Sequence, residues 1–183
     1  ILEQYLNDKQ NARVLYEQIL ADDPGHSKAS DAIARIYEQT RDFTSLVKHL
    51  VRRSEAQRGE EKLRSLARIA EVYETQINDD TEAIRRYKDV VALDAHHAES
   101  LRGLDRVYSK LGRFQDLREN LRAQIEAAAT PRQKVTLWER IAALYEEEFL
   151  DPKEAAEAFE SVLKLAANHE NAMTALVRLY RGL

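Results

Sequence analysis

"RIAEVYE" (Arg68–Glu74) and "RIAALYE" (Arg140–Glu146) are one heptamer with two changes, 72 residues apart. The likeness grows when the window is widened. Leu66–Leu93 ("LARIAEVYETQINDDTEAIRRYKDVVAL") aligns without a gap to Trp138–Leu165 ("WERIAALYEEEFLDPKEAAEAFESVLKL"), with 10 of 28 positions identical. Most of the others keep their polarity. A truncated third copy lies about 71 residues upstream, "LNDKQNARVLYEQIL" (Leu6–Leu20). There Ala12, Ala83 and Ala155 coincide, as do Tyr16, Tyr87 and Phe159, and then Ile19, Val90 and Val162. A second kind of unit alternates with the first: "IARIYEQTRDFTSLVKHL" (Ile33–Leu50) and "LDRVYSKLGRFQDLRENL" (Leu104–Leu121). Self-similarity at a fixed period marks a stack of small units, each too thin to bury its apolar face alone.

Each unit reads as two helices. Leu66, Ile69, Ala70 and Tyr73 follow the i, i+3, i+4, i+7 spacing of one helical face, and Ala83, Tyr87, Val90 and Val91 do the same in the next segment. Breakers and caps separate them. Asp79 or Asp80 serves in "NDDT", and Asp151 stands before Pro152, a residue favoured in the first helical turn. Gly112 is placed to end a helix, and "ADDPGH" (Ala21–His26) stops one helix and starts another. The spacing predicts ten helices, near 8–21, 27–40, 43–57, 61–76, 80–93, 97–111, 114–128, 132–148, 152–166 and 169–182.

Composition agrees with long helices. Only five Gly and three Pro occur in 183 residues, while 44% of residues are hydrophobic and 33% charged. A formal charge of −4 gives no mandate for nucleic acid or an anionic membrane. No apolar run approaches the roughly 20 residues that span a bilayer, so membrane insertion is not expected. With no Cys, disulfides and thiolate metal sites are excluded. Because the chain opens on Ile1 in mid-unit, it reads as a piece of a longer array.

These residues resemble the tetratricopeptide repeat (TPR), with its W-x2-L-G-x2-Y…A-x3-F pattern. The best match is Trp138-x2-Ile141-Ala142-x2-Tyr145, followed by Ala155-x3-Phe159 and Val162. Leu66, Ile69, Ala70, Tyr73, Ala83, Tyr87 and Val90 repeat it, and Ala12, Tyr16 and Pro24 close a partial unit. The resemblance implies an all-α, TPR-like right-handed solenoid of antiparallel helix pairs. It would be a single array over 1–183, with units near 1–26 (partial), 27–62, 63–97, 98–134, 135–169 and 170–183 (partial). The half-a-TPR repeats of RNA-processing scaffolds are the second resemblance, through "ALYEEEF" and "AFESVL". The pattern has a physical basis. Small residues at Ala70, Ala83, Ala142 and Ala155 let paired helices approach, and the aromatics fill the gap to the next unit.

The departures from the pattern carry information too. Leu46 and Leu117 replace the usual Ala, so those helix pairs should sit further apart. Asp105 stands where Gly or Ala is expected. If buried it needs a partner, and Arg102, Arg118 or Arg122 could reach it.

The family resemblance implies a non-catalytic scaffold that binds a protein or peptide along a concave groove lined by the first helix of each unit. Carried over by position, the candidates are Arg35, then Glu71 and Glu74, then Arg102, Arg106 and Lys110, then Glu139 and Glu146. The third strip is basic and its neighbours acidic. Two readings follow: a charge-patterned groove that orients a peptide, or strips that pair across adjacent helices, each exposed pair worth well under ~1 kcal/mol. An RNA-processing-type assembly scaffold, or a docking array of a larger enzyme, is the alternative function. The family's two-carboxylate clamp is argued against, because the matching positions are Asp31 and Arg35, then Arg68, then Glu99 and Gly103.

Nothing points to a cofactor or to catalysis. His26, His97 and His169 share one repeat position at a helix start, none of them has a second ligand four residues on, and no phosphate loop or nucleophile elbow is present. The aromatics occupy repeat core positions, which argues against base stacking and hence against nucleic acid. Ends that fall in mid-array would expose apolar faces. Tyr5, Leu6 and Tyr180 are candidates for end-to-end self-association, which sedimentation over a wide concentration range would reveal.

Overall fold

The computed structural model describes residues 9–182. They form ten helices, with no strand among the described residues: α1 Lys9–Asp22, α2 Ser27–Gln39, α3 Phe43–Ala56, α4 Gly59–Val72, α5 Asp80–Leu93, α6 Ala98–Lys110, α7 Phe114–Ala127, α8 Pro131–Glu147, α9 Pro152–Leu165 and α10 Glu170–Gly182. A π-turn over Tyr73–Ile77 prolongs α4. Each expected helix is present, with ends within two residues of the sequence reading. Position 8, Tyr5 and Leu6 lie outside the described residues. The fold is an all-α, TPR-like helical repeat built of antiparallel hairpins. The chain divides into two compact units, Ile1–Leu93 and Asp94–Leu183.

In the first unit, Ile33, Tyr37, Leu46, Val47, Leu50, Ile69 and Val72 form one buried cluster, against which Tyr16, Leu20, Phe43, Leu66 and Tyr73 pack. Residues from α1 to α4 meet there, so no hairpin owns a core of its own. In the second unit Val135, Val162 and Ala172 join three helices, with Trp138 and Phe159 packed on them. Ala70, Ala83, Ala142 and Ala155 are all fully buried, at 0% exposure. Repeat-equivalent alanines are therefore equally buried. The Ala-lined pairs touch more extensively than their Leu-bearing neighbours, α4/α5 more than α2/α3 and α8/α9 more than α6/α7. Leu46 and Leu117 are themselves buried.

Caps set the helix starts. Asp42, Asp79 and Asp151 accept from the backbone N–H of Ser45, Glu82 and Glu154 at 3.0–3.1 Å. Thr130 and Gln133 form a reciprocal capping box ahead of Pro131. The three repeat-equivalent histidines are N-caps as well. Nδ1 of His26, His97 and His169 accepts from Ala29, Ser100 and Ala172. Their recurrence at helix starts is thus a capping device.

Helix ends also repeat. The Asp79 and Asp151 N–H groups return to the carbonyls of Tyr73 and Tyr145, 2.9 and 2.8 Å away. The preceding residue must be left-handed, and it is: Asn78 has φ 60° and Leu150 φ 51°. Asn tolerates this conformation, whereas a Leu Cβ is crowded there. Leu150 is 76% exposed, so little packing offsets that strain. Leu150→Gly is expected to raise stability by about 1 kcal/mol, read as a higher urea midpoint. A lower midpoint would refute this account of the turn. The other hairpin type uses Arg41 and Gly112, at φ 56° and 64°, in the same way.

Candidate partner-binding groove

Arginines tie each first helix to the one before it within a unit. Arg68 of α4 bonds Glu38 of α2 at 2.8 Å, Arg178 of α10 bonds Glu146 of α8 at 2.6 Å, and Arg140 of α8 reaches Asp105 of α6. The acidic candidates are engaged inside the protein. Glu71 pairs with Arg68, Glu74 accepts from the Tyr87 hydroxyl at 2.6 Å, Glu139 lies 3.5 Å from His169 Nε2, and Glu146 holds Arg178. Arg35 is exposed on α2, and Arg102, Arg106 and Lys110 are exposed on α6.

Asp105 is buried, as its position suggested, but its partner is none of the three arginines expected from sequence. Arg140 grips it with two hydrogen bonds of 2.6 and 2.7 Å, and Gln124 adds one of 2.9 Å. Arg118 instead lies over the Phe149 ring, and Arg122 reaches the Tyr145 hydroxyl. The expectation took arginines near in sequence. The real partner comes from the first helix of the next hairpin, a neighbour that stacking creates. Burial alone would raise the Asp105 carboxyl. The hydrogen bonds from Arg140 and Gln124 outweigh it and hold the group below the ordinary aspartate range.

Beside this pair lies a cavity of about 540 Å³, within the size range of ligand sites. α6 supplies Ala98, Leu101 and Arg102. The end of α7 and the connection after it supply Gln124 and Ala127–Ala129. α8 supplies Arg132, Gln133, Thr136, Leu137 and Arg140. Of the sequence candidates only Arg102 lines it. Arg132 and the alanine run were missed because they lie at a helix start and in a connection, outside the first-helix strip.

Two other cavities differ in character. One of about 280 Å³ between α1, α2 and α3 has much of its polar lining already bonded internally, Tyr37 to Glu17 and His49 to Ser30. Another of about 440 Å³ between α7, α8 and α9 mixes Glu154, Glu157 and Glu160 with Lys153 and Lys164. On α10, Met173, Val177 and Tyr180 are exposed along one face. Among the described residues no cluster of His, Asp or Glu could hold a metal, and no helix is long and apolar enough to cross a membrane.

No protein-family model matches the sequence, and no curated protein does. Solved structures do match. The chain is similar to MamA at 16% identity and a TM-score of 0.58, covering 92% of this chain and 95% of that one. It is similar to YrrB, described as a TPR protein with an unusual peptide-binding site, at 13% identity and a TM-score of 0.54, covering 95% and 86%. A structure of Naa15/Naa10 bound to HypK-THB matches at 16% identity and a TM-score of 0.62, with 98% of this chain covering 27% of that one. At these identities the likeness is one of fold, and the fold is TPR-like.

Proposed function

We propose that the protein is a non-catalytic scaffold that binds a protein or peptide partner through the exposed face of its first helices, chiefly α6. The observation that carries this reading is the contrast in charge use. Glu71, Glu74, Glu139 and Glu146 are engaged by the protein's own side chains, whereas Arg102 faces an open cavity. Likeness of fold to YrrB, a TPR protein with a peptide-binding site, supports the same reading.

The test is affinity capture from native extract with the wild type and with Arg102→Glu plus Arg106→Glu. Both positions are exposed, so helicity by circular dichroism should not change. The double variant should lose partner capture. Undiminished capture would rule out this face.

A further inference from the structure

We propose that the α6–α8 cavity binds an extended acidic peptide segment in which carboxylate side chains alternate with small or medium apolar ones. This rests on the scaffold reading and names its ligand chemistry.

Three features point there. Among the described residues the Arg102 and Arg132 guanidiniums have no hydrogen-bond or ion-pair partner within the protein. The third arginine, Arg140, is fixed by Asp105 yet keeps 43% of its side chain exposed. The remaining lining is largely small and apolar: Ala98, Leu101, Ala127–Ala129 and Leu137. An extended chain sends successive side chains to opposite sides, and residues i and i+2 to the same side. A segment alternating Glu with Leu or Ala could thus present carboxylates to the arginines and methyl groups to the alanine and leucine walls. Arginine donates to a carboxylate in a bidentate fork, which adds specificity to charge.

The whole chain carries a formal charge of −4, so this cavity is a local basic island. Recognition therefore depends on contact within it. Nucleic acid is the weaker fit, since no aromatic side chain lines the cavity to stack a base. Asp105 is a positioning residue for Arg140, and this gives a use to a carboxylate that departs from the repeat pattern.

The probe is a fluorescein-labelled peptide of about eight alternating Glu and Leu/Ala residues, blocked at both ends so that no terminal carboxylate contributes. Fluorescence anisotropy with wild-type protein should rise to saturation. Arg102→Glu plus Arg132→Glu should weaken binding by about tenfold or more, and the milder pair of alanine substitutions by less. Lys164→Glu, at an exposed position on α9 outside this cavity, should leave it unchanged. The same peptide with Lys for Glu, and a single-stranded oligonucleotide, should not bind. Equal affinity in the double variants, or binding of the oligonucleotide or Lys peptide as tight as that of the Glu peptide, overturns the proposal. So does absence of binding by the wild type. If extract capture still depends on Arg102 in that case, the scaffold reading stands and only the ligand chemistry fails.

Discussion

Arg140→Met is expected to destabilise the second unit by about 2–3 kcal/mol, while Asp105→Ala should cost about 1 kcal/mol or less. The asymmetry follows from burial. Asp105 is only 8% exposed, whereas 43% of the Arg140 side chain meets solvent. Removing the arginine strands a buried carboxylate with Gln124 and a long 3.5 Å contact from Ser109. Removing the carboxylate leaves an arginine that water can hydrate. The double variant, with apolar groups at both places, should return to near wild-type stability. Urea unfolding of the four proteins closes the cycle. A linkage effect accompanies it. The folded-state pKa of Asp105 is depressed, so its contribution is fully present above the ordinary aspartate value and is lost as pH falls through the folded one. A wild-type arm of the cycle that does not weaken in acid relative to Asp105→Ala would contradict the assignment.

Ala142→Leu should cost about 3 kcal/mol, because the α8/α9 contact has no room for three more carbons. Ala142 on α8 and Ala155 on α9 are both at 0% exposure. Ala143, one residue on, is only half-buried, and Ala143→Leu should change stability by well under about 1 kcal/mol. Ala70→Leu in the first unit should repeat the Ala142 result, since the two are one position in the repeat. Unequal effects at Ala70 and Ala142 would show that the heptamer match does not carry equal packing.

Ala70, Ala142 and the aromatics that follow them were legible in the sequence because packing in a repeat is local and periodic. The same spacing placed ten helices, Asp151 and Gly112 were recognisable as caps, and Asp79 was one of the two cap candidates in its turn. The partner of Asp105 was not legible, since it depends on how one hairpin leans on the next. Yet a signal was present, because Arg68 and Arg140 open both copies of the heptamer and both reach back to the preceding first helix. The cavity was illegible for a different reason. Its wall of Ala127–Ala129 comes from the last residue of α7 and the connection after it, where no periodic pattern runs, and Arg132 sits in the first turn of α8, before the repeat motif begins. The capping role of the three histidines needed only the observation that an imidazole nitrogen can accept a backbone N–H.

The most direct test of the account is an amide NMR titration of the wild-type protein with the Glu-rich peptide. It should move the resonances of Leu101, Arg102, Ala127–Ala129 and Leu137 together, along one saturating curve. Shifts confined to the α7–α9 side around Glu157 and Ser161, or no saturable shifts at all, would contradict it.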